Sequence, residues 1–356
     1  MKVDDSRSRI RNANRYSPRN QPEESRLPRL SIIMPVRNEQ AYLGATLEQL
    51  LGQHYPSQQF EILVIDGRST DDTRAIAESY ADKVCNVQVY DNPQRLASSA
   101  RNIGIRHATG DYVVIIDGHC QIDGPSYLGA ITNAFTLTGA DCLGRPQPLN
   151  ISQATLFQRA VALARQSWLG HHPSSVNYQD TACYAPAQSV AVAYRRSLFS
   201  VVGPFDESFD ACEDVELNHR IDCAGMHCYY SPALAVRYIP RTTFRGLFRQ
   251  MARYGKGRVR LARKHPDTLS FGSLAPALFL LGCGTGPLLS LIIGPLGLVF
   301  LMTMAVYATL LLSVAVPIAF RNRDLRYLAI VPIVFLAIHA GSGYGSLYEF
   351  IRPGKS

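Results

Sequence analysis

Three clusters in this chain of 356 residues hold side chains that can act together chemically. The first, Asp117-Gly118-His119, closes the apolar run Tyr112 to Asp117 (YVVIID). A carboxylate and an imidazole at the end of a strand can hold a divalent ion against a diphosphate and offset the charge of a departing phosphate group. The competing reading is a strand-to-turn junction, where Asp and Gly are favoured by turn chemistry alone. The second cluster, Glu213-Asp214, opens a helical stretch. Acids in a first turn suit the helix dipole whether or not they react, and Asp210 with Glu213 has the spacing of a capping box. Displacement at carbon by a hydroxyl nevertheless needs a base, and two neighbouring carboxylates can raise one pKa toward that task. In the third cluster, Gln250, Arg253 and Tyr254 share one helix face, where an arginine can reach a diphosphate and a ring can support an acceptor. The alternative makes all three part of a basic interfacial helix.

Holding these groups in place requires a scaffold, and the hydrophobic pattern describes one. Ser31 to Val36, Glu61 to Asp66, Asn86 to Tyr90 and Tyr112 to Asp117 are β-branched runs of strand length. Longer helical segments near Gln40 to Gly52, Asp71 to Tyr80 and Ala97 to Ala108 lie between them. That alternation predicts an α/β unit with a mostly parallel sheet, whose ligands gather where strand C-ends meet the crevice, so Asp66 and Asp117 should face one site. Ser69 with Asp72 reads as an N-terminal box for the second helix. Beyond the parallel unit the pattern loosens, with helices expected from Gln153 to Gln166 and from Cys212 to Cys223.

Charge divides the chain further. Lys and Arg total 36 against 28 Asp and Glu, yet none of the four occurs from Thr268 to Phe320. Met1 to Arg29 carries eight basic and four acidic residues with little that is apolar, which predicts a flexible basic tail. It lacks the apolar stretch of a secretory signal, so the following domain is expected in the cytoplasm. Residues 30–240 then form the catalytic-type unit and residues 241–267 an amphipathic basic collar of interfacial kind, with Arg241, Arg245, Arg249 and Arg253 recurring every fourth residue. Nucleic acid is the other usual target of such charge, and the hydrophobic span that begins at once argues against it. That span, in residues 268–356, divides at Gly294-Pro295 into Leu274 to Ile293 and Leu296 to Pro317, each near the ~20 residues of a crossing. Tyr327 to Tyr348 either crosses as a third helix or re-enters. Basic residues before the hairpin and at Arg321, Arg323 and Arg326 put both of its ends on the cytoplasmic side of the inner membrane. The eight cysteines show no CxxC pair and read as reduced thiols, and His54, His171, His172 and His265 show no partner at metal spacing.

The segments SIIMPVRNE, DGRSTDDT and ASSARNIGIRHATGDYVVIIDGH follow one another from Ser31 to His119. In order and spacing they resemble the opening, second-strand motif and DxD segment of the family-2 glycosyltransferases. VAYRRSLFSVVGPFDESFDACEDVELNHRIDCAG resembles their acceptor half. Tyr238 to Pro266, with His339 and Tyr344-Gly345, resembles the subset that builds succinoglycan-type exopolysaccharides. The resemblance implies a GT-A fold, Rossmann-like with a mostly parallel sheet, followed by C-terminal transmembrane helices. It implies an inverting transfer from a nucleoside-diphosphate sugar, a UDP-sugar first among them, to a lipid-linked glycan at the membrane. Residue by residue, Asp66 would bind the base and Asp117 the ribose or the metal side of the diphosphate. Pro35 and Glu39 would line base and ribose, with Arg101 and Asn102 close to the nucleotide. Asp214 would be the catalytic base beside Glu213, and Gln250-Met251-Ala252-Arg253-Tyr254 resembles the QxxRW motif with Tyr for Trp. His119 stands where many relatives have Asp, which favours Mn²⁺ slightly over Mg²⁺ as the divalent ion, held by Asp117 and His119. Pro93-Gln94-Arg95-Leu96 stands where many have a glycine. The rival readings are a polyprenyl-phosphate glycosyltransferase and a catalytically inactive, membrane-tethered nucleotide-binding scaffold. Three acids on one crevice argue against the scaffold.

Overall fold

The protein is represented by a computed structural model that describes residues 27–151, 154–171, 176–177 and 179–352. The basic tail up to residue 26, His172 and the expected helix start at Gln153 lie outside the described residues.

The first strands run β1 (Leu30–Val36), β2 (Phe60–Asp66), β3 (Val87–Asp91) and β4 (Tyr112–Ile115). Helices α1 (Leu43–Leu51), α2 (Thr73–Ala81) and α3 (Ala97–His107) alternate with them. All pairings among these strands are parallel, in the order β3-β2-β1-β4. The order reverses between β1 and β4, the switch point at which an open α/β sheet leaves a crevice at its carboxyl end. The pleat divides the strand residues between two cores, Ile32, Met34, Ile62 and Val64 toward one and Ile33, Leu63 and Ile65 toward the other. Near-continuous apolar strands follow from that two-sided burial.

After β5 (Cys120–Ile122) and α4 (Tyr127–Thr138), the sheet continues through β6 (Cys142–Gly144), β7 (Cys183–Tyr184), β8 (Ala191–Arg195) and β9 (Cys228–Tyr230). The full order is β3-β2-β1-β4-β8-β6-β9-β7, with β8 antiparallel to β4 and β6. Strand β10 (Val236–Tyr238) pairs with β5 beside the main sheet. Helices α5 (Leu156–Gln166), α6 (Ala187–Val190), α7 (Leu198–Val202) and α8 (Glu213–Cys223) complete the α/β domain.

The long α9 (Phe244–Lys264) leads to three apolar helices, α10 (Phe271–Ile292), α11 (Gly294–Arg321) and α12 (Tyr327–Ile351). Each is long and apolar enough to cross a membrane, so the third stretch is a full helix of 25 residues. At 28 residues α11 extends about 42 Å, more than a bilayer core of about 30 Å requires. Its last turns carry Leu311, Val314 and Ile318 into one apolar cluster with Tyr327 and Val331 of α12 and Ala160, Val161 and Ala164 of α5.

The sequence reading needs several corrections here. An interfacial helix keeps its apolar face free for lipid, but in α9 Leu247, Met251, Ala252 and Leu261 are buried. What covers them is α12, which approaches so closely that a Cβ added at Gly345 would lie 1.9 Å from the Ala252 carbonyl oxygen. Ser69 does not box the second helix; its hydroxyl donates to Asp66 at 2.5 Å, and Asp72 at the N-cap makes no side-chain cap bond. Asp210 does not cap α8 either, because Arg260 takes its carboxylate at 3.0 Å. The N-cap is Cys212, in the left-handed region at φ 63°.

Candidate active site

A cavity of about 840 Å³ opens at the switch point. Pro35 and Glu39 reach it from the end of β1, Asp117 and His119 from the end of β4, and Arg101 from α3. Its opposite wall is built by Glu213 and Asp214 from the first turn of α8 and by Gln250, Arg253 and Tyr254 from α9. Thus ten of the twelve residues singled out from sequence line one cavity.

On the sheet side, the turn after Asp117 is pinned by Thr46, whose hydroxyl donates to the carbonyls of Gly118 and Cys120 at 2.9 Å each. His119 Nδ1 lies 2.9 Å from Glu39 Oε1, so the carboxylate accepts from Nδ1 and leaves Nε2 its lone pair. A carboxylate that orients a histidine in this way is a common support for a metal ligand, and the Asp117 oxygen with the His119 nitrogen suits a divalent ion. Burial works against the charge of the imidazole, but Glu39 and Asp117 outweigh it and hold its pKa above the ordinary value. In the segment Pro93-Gln94-Arg95-Leu96, Arg95 adopts φ 63° and lines the cavity.

The two adjacent acids of α8 have unlike surroundings. Glu213 is 6% exposed and its Oε1 lies 2.8 Å from Arg101 NH1, while Asp214 is exposed on the cavity wall. Burial pushes the Glu213 carboxyl up despite the opposing arginine. Burial also disfavours the Arg101 charge, yet Glu213, Asp214 and Asp117 together hold the guanidinium firmly protonated. Arg101 is braced from the other side by the Phe205 ring, 5.2 Å from its guanidinium carbon. The left-handed turn at Cys212 aims the helix start at the cavity, and α9 abuts that turn. A Cβ at Gly257 would lie 2.5 Å from the Ala211 carbonyl oxygen. Arg253 donates to the Asp210 carbonyl, and Gln250 Nε2 to Tyr254 Oη at 3.3 Å.

Two residues singled out from sequence are not on the wall. Asn102 is 4% exposed and turned to the chain after α7, donating to Phe205 O at 2.9 Å and Glu207 at 2.7 Å. Asp66 is 1% exposed and accepts from the backbone and hydroxyl of Ser69, so it shapes the loop whose Gly67 lines the cavity. Sequence reasoning also missed a wall residue. Arg145 is 1% exposed and donates to Tyr127 Oη, to Ile115 O at 3.1 Å and to Tyr238 Oη at 3.2 Å, placing a buried cation at the end of β4. A lone arginine in a proline-flanked stretch carries no local signal of this, because its partners come from three separate elements.

Comparison with known proteins agrees with this architecture. The model of the family described as Glycosyl transferase family 2 matches residues 31–159. The succinoglycan biosynthesis protein ExoA of Rhizobium meliloti is 32% identical over 236 residues, 66% of this chain and 70% of the relative. A dolichyl N-acetyl-alpha-D-glucosaminyl phosphate 3-beta-D-2,3-diacetamido-2,3-dideoxy-beta-D-glucuronosyltransferase of Methanococcus voltae is 25% identical over 92% of this chain and 98% of its own length. Among solved structures, a mannosyltransferase of Pyrobaculum calidifontis in complex with GDP-Man and Mn²⁺ superposes with TM-score 0.57 at 18% identity, over 96% of this chain and 93% of that one. With a switch-point cavity of this build and a relative this similar over two thirds of its length, the chain belongs to glycosyltransferase family 2 and is a glycosyltransferase of GT-A fold.

Proposed function

We propose that the protein transfers a sugar, with inversion, from a nucleoside diphosphate to a lipid-linked glycan in the assembly of a surface polysaccharide. The observation that carries this reading is the meeting, in one cavity, of a strand-end Asp-x-His pair and a helix-start carboxylate. Donor and diphosphate fit the sheet side, with Pro35 and Glu39 at the nucleoside and Asp117 and His119 positioned to hold a divalent ion. Such an ion, Mn²⁺ or Mg²⁺, supplies neutralisation of the leaving diphosphate. Asp214, exposed to the cavity, accepts the acceptor hydroxyl proton, while Glu213 is committed to Arg101 and fixes the helix start. Direct displacement with a base on the face opposite the leaving group inverts the anomeric carbon.

The lipid-linked acceptor is supported by α9, one helix that presents Gln250, Arg253 and Tyr254 to the cavity and buries its apolar face on α12. The acceptor side of the cavity is therefore continuous with the apolar helices. The names of the Rhizobium and Methanococcus relatives, concerned with an exopolysaccharide and a dolichyl-phosphate-linked sugar, point the same way. The turn between α11 and α12 lies beside the catalytic domain through Ile318, Ala319 and Tyr327, which supports a hairpin returning to the catalytic, cytoplasmic side. Reporters at the N-terminus and after Arg326 should then lie on the same side, and opposite sides would overturn that topology.

Membranes containing the protein, incubated with a panel of radiolabelled nucleotide sugars and Mn²⁺, should yield one labelled glycan-lipid. Label attached directly to the lipid phosphate would instead identify a polyprenyl-phosphate glycosyltransferase. Failure to release any nucleoside diphosphate with any donor would leave a scaffold.

A further inference from the structure

The end of α8 remote from Asp214 meets the turn that joins α9 to α10, and the groups brought together there have no part in the cavity. His219 and Cys223 are one helical turn apart on α8, with Cys223 Sγ 3.4 Å from His219 Nε2. Asp267 Oδ2 lies 3.3 Å from the same nitrogen, and the His265 ring stands 4.6 Å from the His219 ring, centroid to centroid. One ligand atom from each of His219, His265 and Asp267 lies within 4.8 Å of the other two, the one such trio among the described residues. We propose that His219, Cys223, His265 and Asp267 form a zinc-class metal site that clips the catalytic helix to the membrane-proximal turn.

The two separations from His219 Nε2, 3.4 Å to Cys223 Sγ and 3.3 Å to Asp267 Oδ2, are those of neighbouring ligands in one shell, which His265 completes within 4.8 Å of His219 and Asp267. Zn–N and Zn–O bonds near 2.0 Å and a Zn–S bond near 2.3 Å at tetrahedral angles put neighbouring donor atoms about 3.3 to 3.6 Å apart. A direct imidazole-to-carboxylate hydrogen bond would draw its atoms closer, to about 2.7–2.9 Å. Histidine 265 is already oriented: its Nε2 lies 3.1 Å from Oε1 of the fully buried Glu216, so Nε2 donates and Nδ1 keeps its lone pair. A thiolate and a carboxylate balance the dipositive ion, and His219 is buried while Cys223 and Asp267 are exposed, which gives an entry path. Two imidazoles and a thiol select zinc over magnesium or manganese, so this ion is distinct from any held by Asp117 and His119. Sequence spacing hides the site because half of its ligands lie on α8 and half after α9.

The test uses the full chain, purified in detergent and freed of metal with a chelator. In the presence of Mg²⁺ it should take up one equivalent of Zn²⁺. Co²⁺ in place of Zn²⁺ should give tetrahedral visible bands and a near-ultraviolet thiolate charge-transfer band. Cys223→Ser should abolish the thiolate band, and His265→Ala should weaken zinc binding by at least about 10- to 100-fold, with circular dichroism unchanged. Asp117→Ala should leave the zinc stoichiometry intact, separating this site from the donor cavity. Absence of zinc uptake by the wild type, or uptake indifferent to both Cys223→Ser and His265→Ala, would overturn the proposal.

Discussion

The two walls of the cavity are held by different means. The sheet wall carries Asp117 and His119 just beyond a strand whose ladder ends at Ile115, with the Thr46 hydroxyl pinning their turn and Glu39 holding the His119 ring. The helix wall has no such frame. Its Asp214 lies two residues after the left-handed Cys212, and the preceding loop is tied by Arg260, which bridges Asp210 at 3.0 Å and Glu349 of α12 at 3.0 Å. Glu349 is 1% exposed at the end of an apolar helix, and Arg263 pairs with the same carboxylate at 3.6 Å, so a buried charge is held by two arginines of α9. The parallel sheet and the side chains beside its end thus place the groups assigned to the donor, and packing between the catalytic domain and the apolar helices places the group assigned to the acceptor. Distant changes in α9 and α12 should therefore reach the chemistry while sparing donor binding.

The largest effect that tests this division is expected from Asp214→Asn. The amide keeps the shape of the carboxylate but cannot accept a hydroxyl proton, so kcat should fall about 10²- to 10⁴-fold with donor KM nearly constant. Near wild-type turnover would move the base elsewhere. Asp117→Ala should do the reverse, weakening binding of UDP with Mn²⁺ by roughly 10- to 100-fold in a calorimetric titration without loss of fold. Unchanged affinity would remove Asp117 from the donor wall.

Gly257→Ala sharpens the comparison, since its methyl group would press on the Ala211 carbonyl and on Cys212 Sγ, 2.8 Å away. Overpacking of this kind costs about 1–3 kcal/mol. It should lower the melting temperature and kcat together and leave donor affinity alone. An equal fall in donor affinity would mean that the two walls are not independent.

The smallest effect concerns acid. Burial favours the neutral form of Asp206, but Lys264 and Ser208 outweigh it and hold the carboxyl down at about 2. Glu216, where burial is again outweighed by Arg220, Lys264 and His265, is also lowered. A carboxyl with a depressed folded-state pKa stabilises the fold above its ordinary value near 4, and that contribution fades as pH drops toward 2. Lys264 is 41% exposed, so screening keeps the contribution modest. Lys264→Met should flatten the acid limb of a melting-temperature profile between those values, and an unchanged profile would show that the pairing adds nothing.

Legibility followed the same boundary as the mechanics. The strands of the parallel half lie within a residue or two of their expected limits, because two-sided burial writes itself as continuous β-branched runs. Asp117 and His119 were readable for the same reason: a strand end fixes a side chain whatever happens elsewhere. Asp214 was reached by motif resemblance, and its distinction from Glu213 came from Arg101, which no local pattern pairs with α8.

By itself the sequence determined the order of strands and helices in the parallel half, the place of the strand-end acids and the onset of the apolar helices, all set by the chain's local periodicity. Only the tertiary structure decided that the basic helix turns its apolar face to α12, that Asn102 braces Phe205, and that Arg145 lies beneath the cavity. Only it brought His265 to His219. Each of these rests on contact between residues far apart in the chain, where close approach at Gly257 and Gly345 and the cost of unpaired buried charge select the partner.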